Sequence, residues 1–333
     1  MMRVAVLSDL HFDEQPNLST TLPSGITSRL QHQKDAFEWA IAKAMEQGAT
    51  ALVITGDIFD SRTTISLSVI DVVCRLMHEA QKHFADGVHV LVGNHDSWLR
   101  TPTVNSLQML RGTATIHEVP GTFGPLAFLP WTKDHEEIRQ GVAKLARTTK
   151  AEYLISHLGL DSSIPNGVPL GYLQASRWHR VILGDVHDPL DVTPTVHYVG
   201  ALMQQDYGDA GTKRGMLLLD TEYDSVTRFE NKVSPKFSVV TTLDEAEAVE
   251  QNDFIRVKSD DPEVIAAARK GAKWVEANSS PPDEVAPRLA VSQDLTQKEV
   301  LGGYIEMMLG VEDREVNNEL LELGLDLLAE AKP

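Results

Sequence analysis

Five short apolar runs, each closed by a cluster of carboxylate, imidazole or amide side chains, constrain this chain most: VAVLS at 4–8, ALVIT at 51–55, VHVLV at 88–92, AEYLIS at 151–156 and RVIL at 180–183. Their apolar residues do not alternate with polar ones, which is the pattern of strands covered on both faces. Between the first two runs, Leu30, Phe37, Ile41, Ala44 and Met45 recur at helical spacing, and Gly48 supplies a stop. This predicts a helix over about 28–48. A second helix is predicted over roughly 66–84 from Val69, Val73, Leu76, Met77 and Ala80. Strand, helix, strand in repetition is the signature of layered α/β architecture.

A length of 333 residues allows two or three domains. After residue 209, RGMLLLDTEYDSVTRFE reads as two strands around a turn, and we expect a first domain over 1–235. A small α+β cap module is expected over 236–285, with strands in KFSVVTTL and DFIRVKS and a helix from Pro262. The Pro-rich SSPPDEVAP leads to a helical C-terminal tail over 286–333, rich in leucine at 320–328. Thirty Lys and Arg against 48 Asp and Glu give a net charge of -18, so no general basic surface for nucleic acid exists. Residues 241–333 alone hold 9 basic and 21 acidic side chains. The single cysteine, Cys74, forms no internal disulfide and is expected as a buried helix residue in a reducing, cytoplasmic compartment. No apolar run approaches the ~18 residues of a membrane span, and no signal peptide is expected.

The chemistry lies in the strand-end clusters: Asp9 and His11; Gly56, Asp57 and Asp60; Gly93, Asn94, His95 and Asp96; Ser156 and His157; Gly184, Asp185 and His187. In an open α/β sheet the carboxyl ends of strands line one crevice, so groups distant in sequence converge there. Taken singly, a strand-end Asp or Asn is more often a helix cap or turn residue. Together these groups make a mixed nitrogen and oxygen site, suited to Mn, Mg, Fe or Zn. A pair of ions needs one carboxylate able to bridge, and Asp57 is the natural candidate.

The ordered motifs D-x-H, GDxxD, GNHD, a His closing a strand and a final Gly-x-x-His resemble the calcineurin-like metallophosphoesterases over about residues 3–230. The resemblance implies a layered α/β/β/α sandwich with two divalent metal ions, most often Mn. It implies Asp9, His11, Asp57 and His187 on one metal, and Asp57, Asn94, His157 and Asp185 on the other. His95 would be the acid catalyst, with Asp96 or Asp60 orienting an imidazole. The family pattern at the last motif is Gly-His-x-His, whereas this chain has Gly184-Asp185-Val186-His187. Asp is a competent hard ligand, so the second site is expected to persist with altered metal preference.

RLQHQKDAFEWAIAKAMEQGATALVITGDIFDSR, with GDVHDP and YVGALMQQDYGD, resembles the SbcD-type DNA repair nucleases, especially bacteriophage-encoded recombination nuclease subunits. In the segment where that family has Tyr-x-Gly-Ser and a Gly-Glu pair, Ala201 stands for the Ser and Asp209 for the Glu. The resemblance implies a homodimer acting on DNA with an SMC-like coiled-coil ATPase, the C-terminal tail being a candidate docking element. Three function classes follow: a DNA exonuclease and endonuclease subunit, a stand-alone phosphatase for nucleotides, phosphoproteins or small phosphodiesters, and a DNA-end scaffold with weak catalysis. The other eight histidines receive no role. Trp39 and Trp178 read as core, while Arg29, Lys34, Arg62, Arg100 and Lys133 read as solvated surface.

Overall fold

The computed structural model describes residues 2–98, 102–277 and the single positions 298, 321, 324 and 325. The expected tail over 286–333 therefore lies outside the described residues apart from those four positions, as does Arg100. The chain first alternates strands and helices: β1 (Arg3–Leu7), α1 (Ser28–Glu46), β2 (Ala51–Ile54), α2 (Leu67–Ala80), β3 (Val88–Leu91) and β4 (Thr115–His117). It continues through β5 (Gly121–Phe123), β6 (Leu126–Leu129), α3 (His135–Thr148), β7 (Tyr153–His157), β8 (Arg180–Gly184), β9 (Leu190–Thr193) and β10 (Val196–Tyr198). The remaining elements are β11 (Gly215–Asp220), β12 (Ser225–Glu230), β13 (Phe237–Val240), α4 (Leu243–Glu247), β14 (Phe254–Val257), α5 (Pro262–Gly271) and β15 (Trp274–Ala277).

All five apolar runs are strands, and they divide between two six-stranded sheets, β12-β11-β1-β2-β3-β4 and β5-β6-β7-β8-β10-β9. The inner strands are parallel, while β11 returns antiparallel to β1. The period of two places Val4 and Val6 between the sheets, against Phe128, Tyr153 and Ile155. Ala5 and Leu7 point the other way, into the helical layer with Leu30, Phe37 and Val73. Across the second sheet Ala127, Leu154 and Val181 pack on Ile138 and Val142 of α3. The result is helix, sheet, sheet, helix, and it explains why these strands carry no polar face.

Helix α1 starts where Thr27 accepts the Leu30 N–H at 3.2 Å, and the chain leaves it through Gly48 at φ 68°, a left-handed turn that glycine takes without strain. Trp178 is buried and Trp39 packs on the α1 and α2 cluster. Cys74 is half-buried rather than buried, because it sits at the edge of the α2 face that meets the core. Arg29, read as surface, is 2% exposed.

Two histidines cross the inter-sheet layer. His89 Nε2 donates to the Asp86 carbonyl at 3.0 Å, and its Nδ1 lies 3.1 Å from His117 Nε2, so both rings are neutral in this network. His117 stacks on Phe128 with centroids 3.8 Å apart. Burial, then the neighbouring His89, push the His117 imidazole down to about 3. Since the folded pKa lies below the unfolded one, the stabilisation is complete above about pH 6.5 and is lost as pH falls towards 3. Between pH 7 and 4 this group is expected to remove about 3 kcal/mol of stability, and His117→Phe should flatten the dependence in denaturant titrations across that range.

Residues 237–277 form a third sheet, β13-β14-β15, all parallel, with α4 and α5 against it. Its small core is Val240, Ala246, Ile255, Val257, Val264 and Ala268. Helix α5 begins as the sequence predicts, at Pro262 with Asp261 capping Glu263. The strand at Trp274–Ala277 and the short helix Leu243–Glu247 are additions to what the sequence pattern reveals.

Candidate metal centre

Each strand-end cluster lies at a strand's carboxyl end, and both sheets contribute. Asp9 and His11 follow β1, Asp57 follows β2, and Asn94 and His95 follow β3. From the second sheet, His157 closes β7, and Asp185 and His187 follow β8. The chain turns sharply to deliver these groups: Asp9, His11, Asp57 and Asp185 have φ of 51°, 46°, 55° and 83°. Such backbone costs non-glycine residues about 1 kcal/mol or more each and is kept where the surroundings over-determine it. Gly93 is required by close approach, since a Cβ there would stand 2.1 Å from Asp57 Oδ1.

The seven ligand candidates converge. Asp9, His11 and His187 offer donor atoms within 4.8 Å of one another, and so do Asp9, Asp57 and His157. Asp57 Oδ2 lies between the two groups, 3.8 Å from His11 Nε2 and 3.4 Å from His157 Nε2. Asp185 Oδ1 is 3.6 Å from His157 Nε2, and His11 Nε2 is 3.1 Å from His187 Nε2. The backbone sets the tautomer of His157: its Nδ1 donates to the Thr55 carbonyl at 2.8 Å, leaving the Nε2 lone pair facing the centre.

The arrangement fits divalent cations on its own chemistry. Asn94 Oδ1 sits 2.8 Å from His157 Nε2. With the amide turned over, its nitrogen would instead donate to Asp57 Oδ2 at 3.0 Å and Asp185 Oδ1 at 3.2 Å. Lone pairs from amide, imidazole and carboxylate thus point at one small volume, which a cation satisfies and nothing else among these side chains does. Burial alone would push the Asp57 carboxyl up, but His157, then His11 and His95, hold it well below the usual range. The same carboxylates raise His157 to about 10 against its own burial. A proton there occupies the place a cation would take.

The family model of the calcineurin-like phosphoesterases matches residues 2–189. The chain belongs to that family. It is thereby a phosphoesterase of a metal-binding family, and its sandwich is the family's fold. No curated protein is significantly similar in sequence. Among solved structures, a Thermus thermophilus protein is 11% identical, over 69% of this chain and 98% of its own, with a TM-score of 0.47. A dimetal phosphatase from Danio rerio is 12% identical over 65% and 91%, at a TM-score of 0.43. The Pseudomonas putida nuclease MPE is 15% identical over 65% and 82%, at 0.33.

The structure of this phosphoesterase corrects the expected role of Asp96. Its carboxylate accepts the backbone N–H groups of Asp57, Ile58, Phe59 and Gly93 at 2.8, 3.1, 3.4 and 3.0 Å, and so has no lone pair left for an imidazole. Burial, then the charge of Asp57, push the carboxyl up to about 7. Asp96 ties the two loops that present Asp57 and Asn94. Asp96→Ala would leave four buried donors without acceptors and is expected to cost about 3 kcal/mol in denaturant unfolding. A variant of unchanged stability with lost turnover would return Asp96 to the chemistry.

Within the centre, Asp60 is the acid that stands nearest an imidazole. Its carboxylate stands 3.2 Å from His11 Nδ1, an electrostatic contact short of an aligned hydrogen bond, and His11 holds it below the usual carboxylate range. The Asp60 carbonyl receives His95 Nδ1. Three further residues of the phosphoesterase escape sequence reading. Ser8 donates to Asp9 Oδ2 and receives Thr55 Oγ1 at 2.7 Å. Arg214, 5% exposed, donates to the His187 carbonyl and pairs with Asp188 at 2.7 Å and Asp209 at 2.6 Å. Hydroxyls and one arginine inside a loop carry no pattern that separates them from surface.

Proposed function

We propose that the protein hydrolyses phosphodiester bonds of DNA, as the nuclease subunit of an SbcCD-like repair and recombination complex. The observation that carries the reading is His95 beside the ligand set: its backbone N–H donates to Asp57 Oδ1 at 2.8 Å, and its ring stands edge-on to His11 with centroids 4.8 Å apart. The 29–62 segment supports the nuclease reading through its resemblance to SbcD-type sequences. The net charge of -18 favours a partner that supplies basic surface, which an SMC-like ATPase would do.

Two divalent cations held by Asp9, His11, Asp57, Asn94, His157, Asp185 and His187 would supply Lewis-acid charge and an activated water. The residues do the rest. His95 keeps Nδ1–H on the Asp60 carbonyl, so as a general acid it would act as the imidazolium, passing its Nε2 proton to the departing sugar oxygen and remaining as the neutral Nδ1–H ring. Arg62 is exposed beside Asn94, its Nη2 2.9 Å from the amide, where it can neutralise a non-bridging phosphate oxygen. Asp60 and Asp96 hold the two loops in register while charge moves.

The test is release of nucleotides from linear duplex DNA with Mn, Mg or Zn, beside a small aryl phosphodiester. Metal-dependent digestion is the expected result. Turnover of the ester with DNA intact, with or without an ATPase partner, would favour the phosphatase, and silence on both would favour the scaffold. Removing 286–333 is expected to abolish partner binding and spare hydrolysis, and the protein is expected to sediment as a homodimer.

A further inference from the structure

Helix α1 reaches the metal centre through one polar side chain. Gln33 lies on the buried face of α1 with Leu30, Ala36 and Phe37, and is 2% exposed. A primary amide in such a place is costly unless both of its ends are paired. Both are, and to one loop: Nε2 donates to the His11 carbonyl at 2.7 Å, and Oε1 accepts the Asp13 N–H at 3.1 Å. These partners fix which end of the amide is which, since a carbonyl takes only a donor and an N–H only an acceptor.

The loop after β1 depends on this hold at one residue above all. Other backbone groups of the loop run to the loop after β2, His11 N–H to the Asp57 carbonyl at 3.0 Å and Phe12 N–H to the Ile58 carbonyl at 2.8 Å. His11 sits at φ 46°, and its Nδ1 makes no hydrogen bond, so placing the ring falls to the backbone that carries it and to packing. His157 differs on each point: it closes β7 in register with Gly184, and its Nδ1 donates to the Thr55 carbonyl at 2.8 Å. Asp9, common to both ligand groups, is anchored apart from Gln33, with the Ser8 hydroxyl on Oδ2 and the Asp185 N–H on Oδ1 at 3.3 Å. Among these ligand candidates, His11 is the one that α1 governs.

We propose that Gln33 is a positioning residue of the metal centre. By holding the His11 carbonyl and the Asp13 N–H it sets the affinity of the group Asp9, His11 and His187 for its cation, and it leaves the group of Asp57 and His157 untouched. Gln33 itself contacts no ligand atom of the centre; it acts through the backbone of His11. The inference rests on the two-cation reading of the centre and does not require DNA as the substrate.

The test is titration of the full-length chain, stripped of metal, with Mn(II), the free ion being followed by electron paramagnetic resonance to give the number of sites and their affinities. Gln33→Met keeps the length of the side chain and removes donor and acceptor; Gln33→Glu keeps the acceptor for Asp13 and removes the donor to His11. Wild type is expected to bind two ions. Each variant should bind one ion within about twofold of wild type and the other about 10- to 100-fold more weakly. In a His187→Ala background, where the weakened site already lacks a ligand, Gln33→Met should leave the remaining site unchanged. Unchanged affinity at both sites overturns the proposal, as does an equal loss at both or an added loss in the His187→Ala background, either of which makes Gln33 a residue of general stability. Wild type binding fewer than two ions overturns the two-cation centre and the inference with it, so the two failures read differently. Where Gln33→Met fails to fold, Gln33→Glu, which retains the Asp13 bond, decides the matter.

Discussion

Asp57→Asn is expected to remove bound metal and turnover together. The carboxylate is buried, its Oδ2 faces imidazoles of both ligand groups at 3.8 and 3.4 Å, and its Oδ1 holds the His95 backbone at 2.8 Å. Asn keeps the shape and one acceptor but loses the charge, leaving Asp9 as the carboxylate common to the His11 and His157 groups. A loss of about 4 kcal/mol of transition-state stabilisation corresponds to roughly a thousandfold lower rate. Metal content by plasma mass spectrometry, read beside turnover, decides it. A variant carrying two ions as the wild type does would show that Asp57 is not the bridge.

His95→Ala separates chemistry from binding. The imidazole hangs from the Asp60 carbonyl and is one ring removed from the ligand set, so its loss is expected to leave metal content unchanged and lower kcat by about 10²- to 10⁴-fold. A nitrophenyl diester, whose leaving group departs without a proton, should lose far less than DNA does. Equal losses on both substrates would place His95 in substrate positioning, and retained DNA turnover would remove it from the mechanism.

The ligand candidates are legible in the sequence because each ends an apolar run, and the end of a parallel strand is a fixed place in the fold. Asp57, His157 and His187 can be named from spacing for that reason. Asp96 misleads because adjacency in sequence says nothing of direction: the Asp96 carboxylate turns back on four backbone N–H groups while His95 turns to Asp60. Arg29 reads as surface because a lone arginine at a helix start carries no burial signal. Its place is decided by Phe237 and Phe254, which lie over two hundred positions away. The strand at Trp274–Ala277 escapes the sequence pattern because it is short and none of its residues is fully buried.

The return of β11 to pair with β1 has a consequence during synthesis. Val4 and Val6 find their antiparallel partners at Leu219 and Leu217, so the outer edge of the first strand stays open until the ribosome has made two-thirds of the chain. At ordinary elongation rates that is roughly 10 to 40 s. His11 and His187, 3.1 Å apart in the finished protein, also belong to parts of the chain that emerge far apart in time. A nascent chain of this kind exposes an apolar strand edge before it owns a metal centre. That edge is therefore covered with the emergence of residues 215–220 rather than with the arrival of metal.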